Sequence, residues 1–170
     1  MELITRELED QLIKSLIPQK VVILLGPRRV GKTVLIKQVI DRLQEPHLLL
    51  NGEDFSVIEI LSRRSVQHYK NLLGEKRVLL IDEAQKIPEI GKILKLMVDE
   101  IEGIRVLVTG SSAFDIDKYT GEPLTGRKKT FNLYPLSESE YDQIETLIEK
   151  RDNLRERLIY GNYPELIHIR

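Results

Sequence analysis

The chain has no cysteine among its 170 residues. That excludes a disulfide framework, a zinc-thiolate site and a thiol nucleophile. It also lacks an excess of charge of one sign: 26 Lys and Arg stand against 27 Asp and Glu, a formal net charge of −1. No global field therefore draws it to nucleic acid or to an anionic membrane. Aromatics are few, three Phe and six Tyr, and no recognition helix is evident, so nucleic-acid binding is not supported. No apolar run approaches the roughly 20 residues of a membrane span. The first seven residues include Glu2, Arg6 and Glu7 and do not form a secretory signal, so a cytoplasmic setting is expected. There is no internal repeat and no low-complexity tract. His47, His68 and His168 lack metal-ligand spacing and read as ordinary surface or core residues.

What is present is an alternation of apolar runs and helical periods. Hydrophobic residues make up 41%, enough for a core in one domain, with or without an appendage. Ile4, Leu8, Leu12 and Leu16 predict a helix over 2–17, ended by Pro18. Residues 21–25 form a continuous apolar run, as a buried parallel strand does. A helix over about 32–44 follows, with Ile36, Val39, Ile40 and Leu43 inward, then a short strand over 47–50 closed by Asn51-Gly52. Residues 54–73 read as helical with a break at 62–65, and Gly74 as a stop. A third strand covers 78–81. Pro88 opens a helix carrying Ile90, Ile93, Leu94, Met97, Val98 and Ile101 at helical spacing, ended by Gly103, and 104–108 is a fourth strand. Residues 113–128, with Gly121, Pro123 and Gly126, read as an irregular loop before a strand over 130–133. Ser137 with Glu140 is a capping-box signature before a helix that turns Tyr141, Ile144, Leu147 and Ile148 inward. A second helix is expected over 151–160, then a turn over 161–164. The predicted class is α/β: a mostly parallel five-stranded sheet with helices on both faces and ligands at the strand C-termini.

The most informative run is Gly26-Pro27-Arg28-Arg29-Val30-Gly31-Lys32-Thr33, which fits G-x-x-x-x-G-K-[ST] at every fixed position. It sits where its physics requires, between an apolar strand and a helix start. Gly26 and Gly31 let the backbone wrap a small anion, and the loop N–H groups and helix N-terminus supply partial positive charge. Lys32 can reach the β- and γ-phosphates as a mobile point charge. The Thr33 hydroxyl can take one position on a phosphate-bound Mg²⁺. Pro27 stiffens the loop; Arg28 and Arg29 face solvent, a phosphate or a neighbouring subunit. With Val34 in the first helical turn, residues 26–34 are the candidate ATP/ADP-binding segment.

Asp82-Glu83, at the end of the third strand and 50 residues after Lys32, is the natural partner of this loop. Asp82 can hold a water on Mg²⁺, and Glu83 can orient and deprotonate a water for attack on the γ-phosphate. Thr109-Gly110-Ser111-Ser112 ends the fourth strand; a hydroxyl there contacts the γ-phosphate or the attacking water, or simply caps a helix. Arg127 can stabilise the transferring phosphoryl group, in cis or across a subunit contact, or belong to a basic surface run. A guanine-reading N/T-K-x-D motif is missing: Lys150-Arg151-Asp152 follows Glu149 in a helical stretch. Two readings remain: an ATP-hydrolysing enzyme, and a nucleotide-dependent switch with little hydrolysis. A protein partner and a homo-oligomer stay open.

Five stretches carry a resemblance. They are residues 25–33, 80–88, Val108-Thr109-Gly110-Ser111-Ser112-Ala113, Leu124-Thr125-Gly126-Arg127 and residues 133–140, with Gly161-Asn162-Tyr163-Pro164-Glu165 beyond them. In content and order the chain resembles the bacterial and archaeal AAA-type ATPases of the additional-strand catalytic-glutamate class of P-loop proteins. Within that class it is closest to the group with a C-terminal domain of unknown function. The resemblance implies a three-layer P-loop NTPase fold, with the 104–109 strand between the glycine-loop strand and the Asp82 strand. It implies Lys32 and Thr33 as the Walker A pair, Asp82 as the Walker B metal partner and Glu83 as catalytic base. It further implies Ser111 or Ser112 as sensor and Arg127 as trigger. Residues 1–135 are expected to form the ATPase domain. Residues 136–170 are expected to be a helical extension that opens the further region such proteins carry.

Overall fold

A computed structural model describes residues 4–111 and 124–168 of the chain. In chain order the elements are α1 (Glu9–Ser15), β1 (Val21–Leu25), α2 (Lys32–Leu43), β2 (His47–Asn51), α3 (Phe55–Ser62), α4 (Val66–Leu73), β3 (Val78–Asp82), α5 (Ile90–Glu100), β4 (Arg105–Gly110), β5 (Lys128–Asn132), α6 (Glu138–Tyr141) and α7 (Leu147–Tyr160). Short 3₁₀ turns occupy Ala84–Lys86 and Pro164–His168. The five strands form one sheet of order β2-β3-β4-β1-β5, and every pairing is parallel. β4 thus lies between β1 and β3, as the resemblance implies.

Successive strand residues point to opposite faces, and the core divides accordingly. Val21, Ile23, Leu79, Ile81, Val106 and Val108 pack in one cluster with residues of α3, α4 and α5. Val22, Leu24, Val78, Leu80 and Leu107 pack in a second with Leu12 and Leu16 near α1 and Leu35, Ile36 and Val39 of α2. Burial on both faces is why β1, residues 78–81 of β3 and residues 106–108 of β4 are all aliphatic. Because all strands run the same way, Leu25, Asp82 and Gly110 end on one edge of the sheet, and the loops leaving them share that edge.

Four elements differ most from expectation. The first helix starts at Glu9 instead of near residue 2. Thr5 gives its N–H to Gln143 Oε1 (2.8 Å) and its carbonyl accepts from Gln143 Nε2 (2.8 Å), so these backbone groups serve tertiary bonds and not a helix. β5 begins two residues earlier, at Lys128, paired with Val21; as an edge strand it tolerates polar residues, which hide it in an apolarity scan. The helix after Ser137 lasts one turn, and its capping box is present. Thr146 and Glu149 form a second capping box and start α7 at Leu147. Tyr141 is buried as expected, but Leu147 and Ile148 are 84% and 74% exposed. Thr146-x-x-Glu149 is itself a start signal.

Candidate functional site

The glycine loop joins β1 to α2 at the sheet's C-terminal edge, over a cleft of about 720 Å³, within the usual size of small-molecule sites. Arg29 (φ 64°) and Gly31 (φ 97°) adopt the left-handed conformation that lets consecutive N–H groups converge on an anion. Gly26 is required for a different reason: a Cβ there would stand 2.7 Å from the Leu133 carbonyl oxygen. Lys32 is buried, and its Nζ donates to the carbonyls of Gly26 and Pro27, each at 2.9 Å. The ammonium group therefore closes the loop on itself and is held at its rim. Val30 points into the core, while Arg28, Thr33 and Val34 line the cleft.

Across the cleft the ends of β3 and β4 meet. Thr33 Oγ1 donates to Asp82 Oδ2 at 2.6 Å. The Thr109 hydroxyl donates to Asp82 Oδ1 and accepts the Glu83 N–H at 3.0 Å. Glu83 is left-handed (φ 52°, ψ 42°) and begins the 3₁₀ turn. β2 comes close here: Gly52 N–H donates to the Asp82 carbonyl at 2.8 Å, and a Cβ on Gly52 would lie 2.4 Å from the Glu83 carbonyl oxygen. Gly52→Ala must therefore displace the Asp82-Glu83 backbone. We expect a loss of about 1–3 kcal/mol in urea unfolding, in the range of overpacked sites.

A hydroxyl and a carboxylate 2.6 Å apart are hard oxygen donors suited to Mg²⁺. Among the described residues no cluster of three or more His, Cys, Asp or Glu could hold a metal alone.

A residue not expected at the site braces the loop from behind. Arg6 is buried; Nη1 donates to the Val30 carbonyl (2.9 Å), Nη2 to the Tyr134 carbonyl (2.6 Å) and Nε to Glu140 Oε1 (2.9 Å). Glu140 also accepts the N–H groups of Glu7 and Ser137. No local pattern marks Arg6, because its partners lie up to 134 positions away. Arg6→Ala strips a buried carboxylate of its counter-charge, and we expect about 3 kcal/mol of lost stability by chemical denaturation.

The remaining expected residues divide. Arg29 reaches Glu165 at 3.4 Å in an exposed pair, which contributes little. Ser111 is half-buried just beyond β4, and the hydroxyl bonded to Asp82 is that of Thr109; Ser112 falls outside the described residues. Arg127 is not beside the phosphate loop. Its carbonyl accepts the Val21 N–H, and its guanidinium pairs with Asp99. That places it at the N-terminal edge of the sheet, a five-residue strand (about 16 Å) from Gly26. The in-cis role is corrected accordingly: a role at the site would require the loop of a neighbouring subunit.

Residues 18–142 match the AAA domain family. The chain belongs to that family. As an AAA domain it is a P-loop nucleotide-binding protein. It is similar to an uncharacterized protein of Methanocaldococcus jannaschii, 27% identical over 179 residues, covering 97% of this chain and 39% of that one. A Haemophilus influenzae protein is 29% identical over 177 residues, covering 93% of this chain and 43% of the relative. A Mycobacterium tuberculosis protein is 30% identical over 133 residues, covering 78% and 29%. The AAA domain thus spans less than half the length of the curated relatives it matches. None of its described helices is long and apolar enough to cross a membrane.

Proposed function

We propose that this AAA domain binds ATP with Mg²⁺ and hydrolyses it to ADP and phosphate. The observation that carries this reading is the convergence of Lys32, Thr33, Asp82 and Glu83 on one cleft, with buried Thr109 from the end of β4 bonded to Asp82 and Glu83 behind it. Lys32 exchanges its two loop carbonyls for β- and γ-phosphate oxygens, a substitution that trades two acceptors for two. Thr33 and Asp82 would hold Mg²⁺, which would neutralise charge on the phosphate oxygens. Thr109 fixes the rotamer of Asp82 and ties down the Glu83 backbone. Glu83 accepts a proton from the attacking water. Phosphate release from ATP by the purified chain, with Mg²⁺ and with chelator, tests the reading: metal-dependent release supports it, and none with either sinks it.

A further inference from the structure

Within the same turn that carries Glu83, Gln85 has no role in the machinery above. Its Nε2 donates to Glu83 Oε2, while its own Oε1 is buried with no hydrogen-bond partner among the described residues. Leaving a buried carbonyl oxygen unpaired is unfavourable. Turning the amide over does not relieve it, because that sets the oxygen against the Glu83 carboxylate. The amide therefore takes its orientation from Glu83.

The geometry on both sides is rigid. The Glu83 N–H is bound by Thr109 (3.0 Å) and Asp82 Oδ1 (3.2 Å), and its carbonyl accepts from Lys86 (3.0 Å) with Gly52 pressed against it. Ala84 just before Gln85 and Ile87 two residues after it are sunk in the core, and the Ile87 N–H donates to the Ala84 carbonyl. The backbone is held on either side of the contact, and what remains to be fixed is the Glu83 side chain.

We propose that Gln85 is a positioning residue for Glu83: its amide grips one carboxylate oxygen and leaves the other, Oε1, to take the proton from water. This rests on the reading of Glu83 as the base. Gln85 itself touches neither nucleotide nor metal in this scheme. A hydrogen bond to a charged group with defined direction replaces the freedom of a three-torsion side chain.

The test uses the full chain in two measurements. In nucleotide-free protein, the Gln85 side-chain amide resonance is expected to move on Glu83→Gln, which removes the charged acceptor. In steady-state ATP turnover, the isosteric Gln85→Glu lowers kcat about tenfold or more, as expected for loss of a charge-assisted hydrogen bond. KM and the nucleotide-induced rise in melting temperature stay as in wild type. Gln85→Leu, which adds no charge, shifts kcat in the same direction. In the Glu83→Gln background, Gln85→Glu has no further effect. Wild-type kcat in both Gln85 variants, an equal drop in both backgrounds, or an amide resonance indifferent to Glu83 overturns the proposal. Full turnover by Glu83→Gln overturns the base reading itself, and the positioning role with it.

Discussion

Replacing Lys32 by Ala abolishes the rise in melting temperature that Mg²⁺-ATP or ADP gives the wild-type chain. A ligand at 100 times its Kd stabilises the native state by about 2.7 kcal/mol. For a chain of this size that corresponds to roughly 5–10 °C. Lys32 is the side chain whose ammonium already sits at the rim of the loop, bound to the Gly26 and Pro27 carbonyls. Its removal takes away the ammonium group that the loop carbonyls hold, while α2 keeps an excellent helix former at its first position. Differential scanning fluorimetry across a nucleotide series decides the matter. If Lys32→Ala responds like wild type, nucleotide binds elsewhere.

Glu83→Gln lowers phosphate release by about 10²–10⁴-fold, the usual worth of a general base, and leaves the nucleotide-induced stabilisation intact. The two effects separate because Glu83 is held through its backbone, by Thr109 and by the close approach of Gly52. An amide of the same shape fits the place and cannot accept the proton. Single-turnover measurements with radiolabelled ATP give the chemical step directly. Turnover unchanged in this variant favours the nucleotide-dependent switch over the hydrolase.

Much of the scaffold is legible in the sequence because burial on two sides leaves a plain mark. β1 and β3 are aliphatic runs bounded by the glycine loop and by Asp82-Glu83, and the expected boundaries lie within a residue of those found. α3 and α4 are separable through the break at 62–65; Asp54 caps the start of α3 and Ser65 that of α4. Where one face meets water the mark fades. β5 carries Lys128 and Lys129, and its start is misplaced. α7 exposes Leu147, Ile148, Leu158 and Ile159, so apolar spacing alone gives a false inward face.

At the site, spacing identifies the residues but not their neighbours. Thr109 lies beside Asp82 because Ile81 pairs with Val108 one step earlier, so choosing Thr109 over Ser111 needs the strand order and register together. Arg127 is a candidate phosphate partner in the sequence through its place after Gly126 and through the family resemblance. It is carried to the opposite edge because β5 runs parallel to β1. Gly26 is explained by the neighbouring strand as much as by any anion.

The bracing arginine bears on where this domain can be cut. A fragment beginning at residue 18, the start of the family match, keeps all five strands and the whole glycine loop. It also discards the guanidinium that joins the Val30 carbonyl to Tyr134 and Glu140. Such a clone retains the full motif and leaves its cradle without a back wall, so the working boundary lies upstream of Arg6.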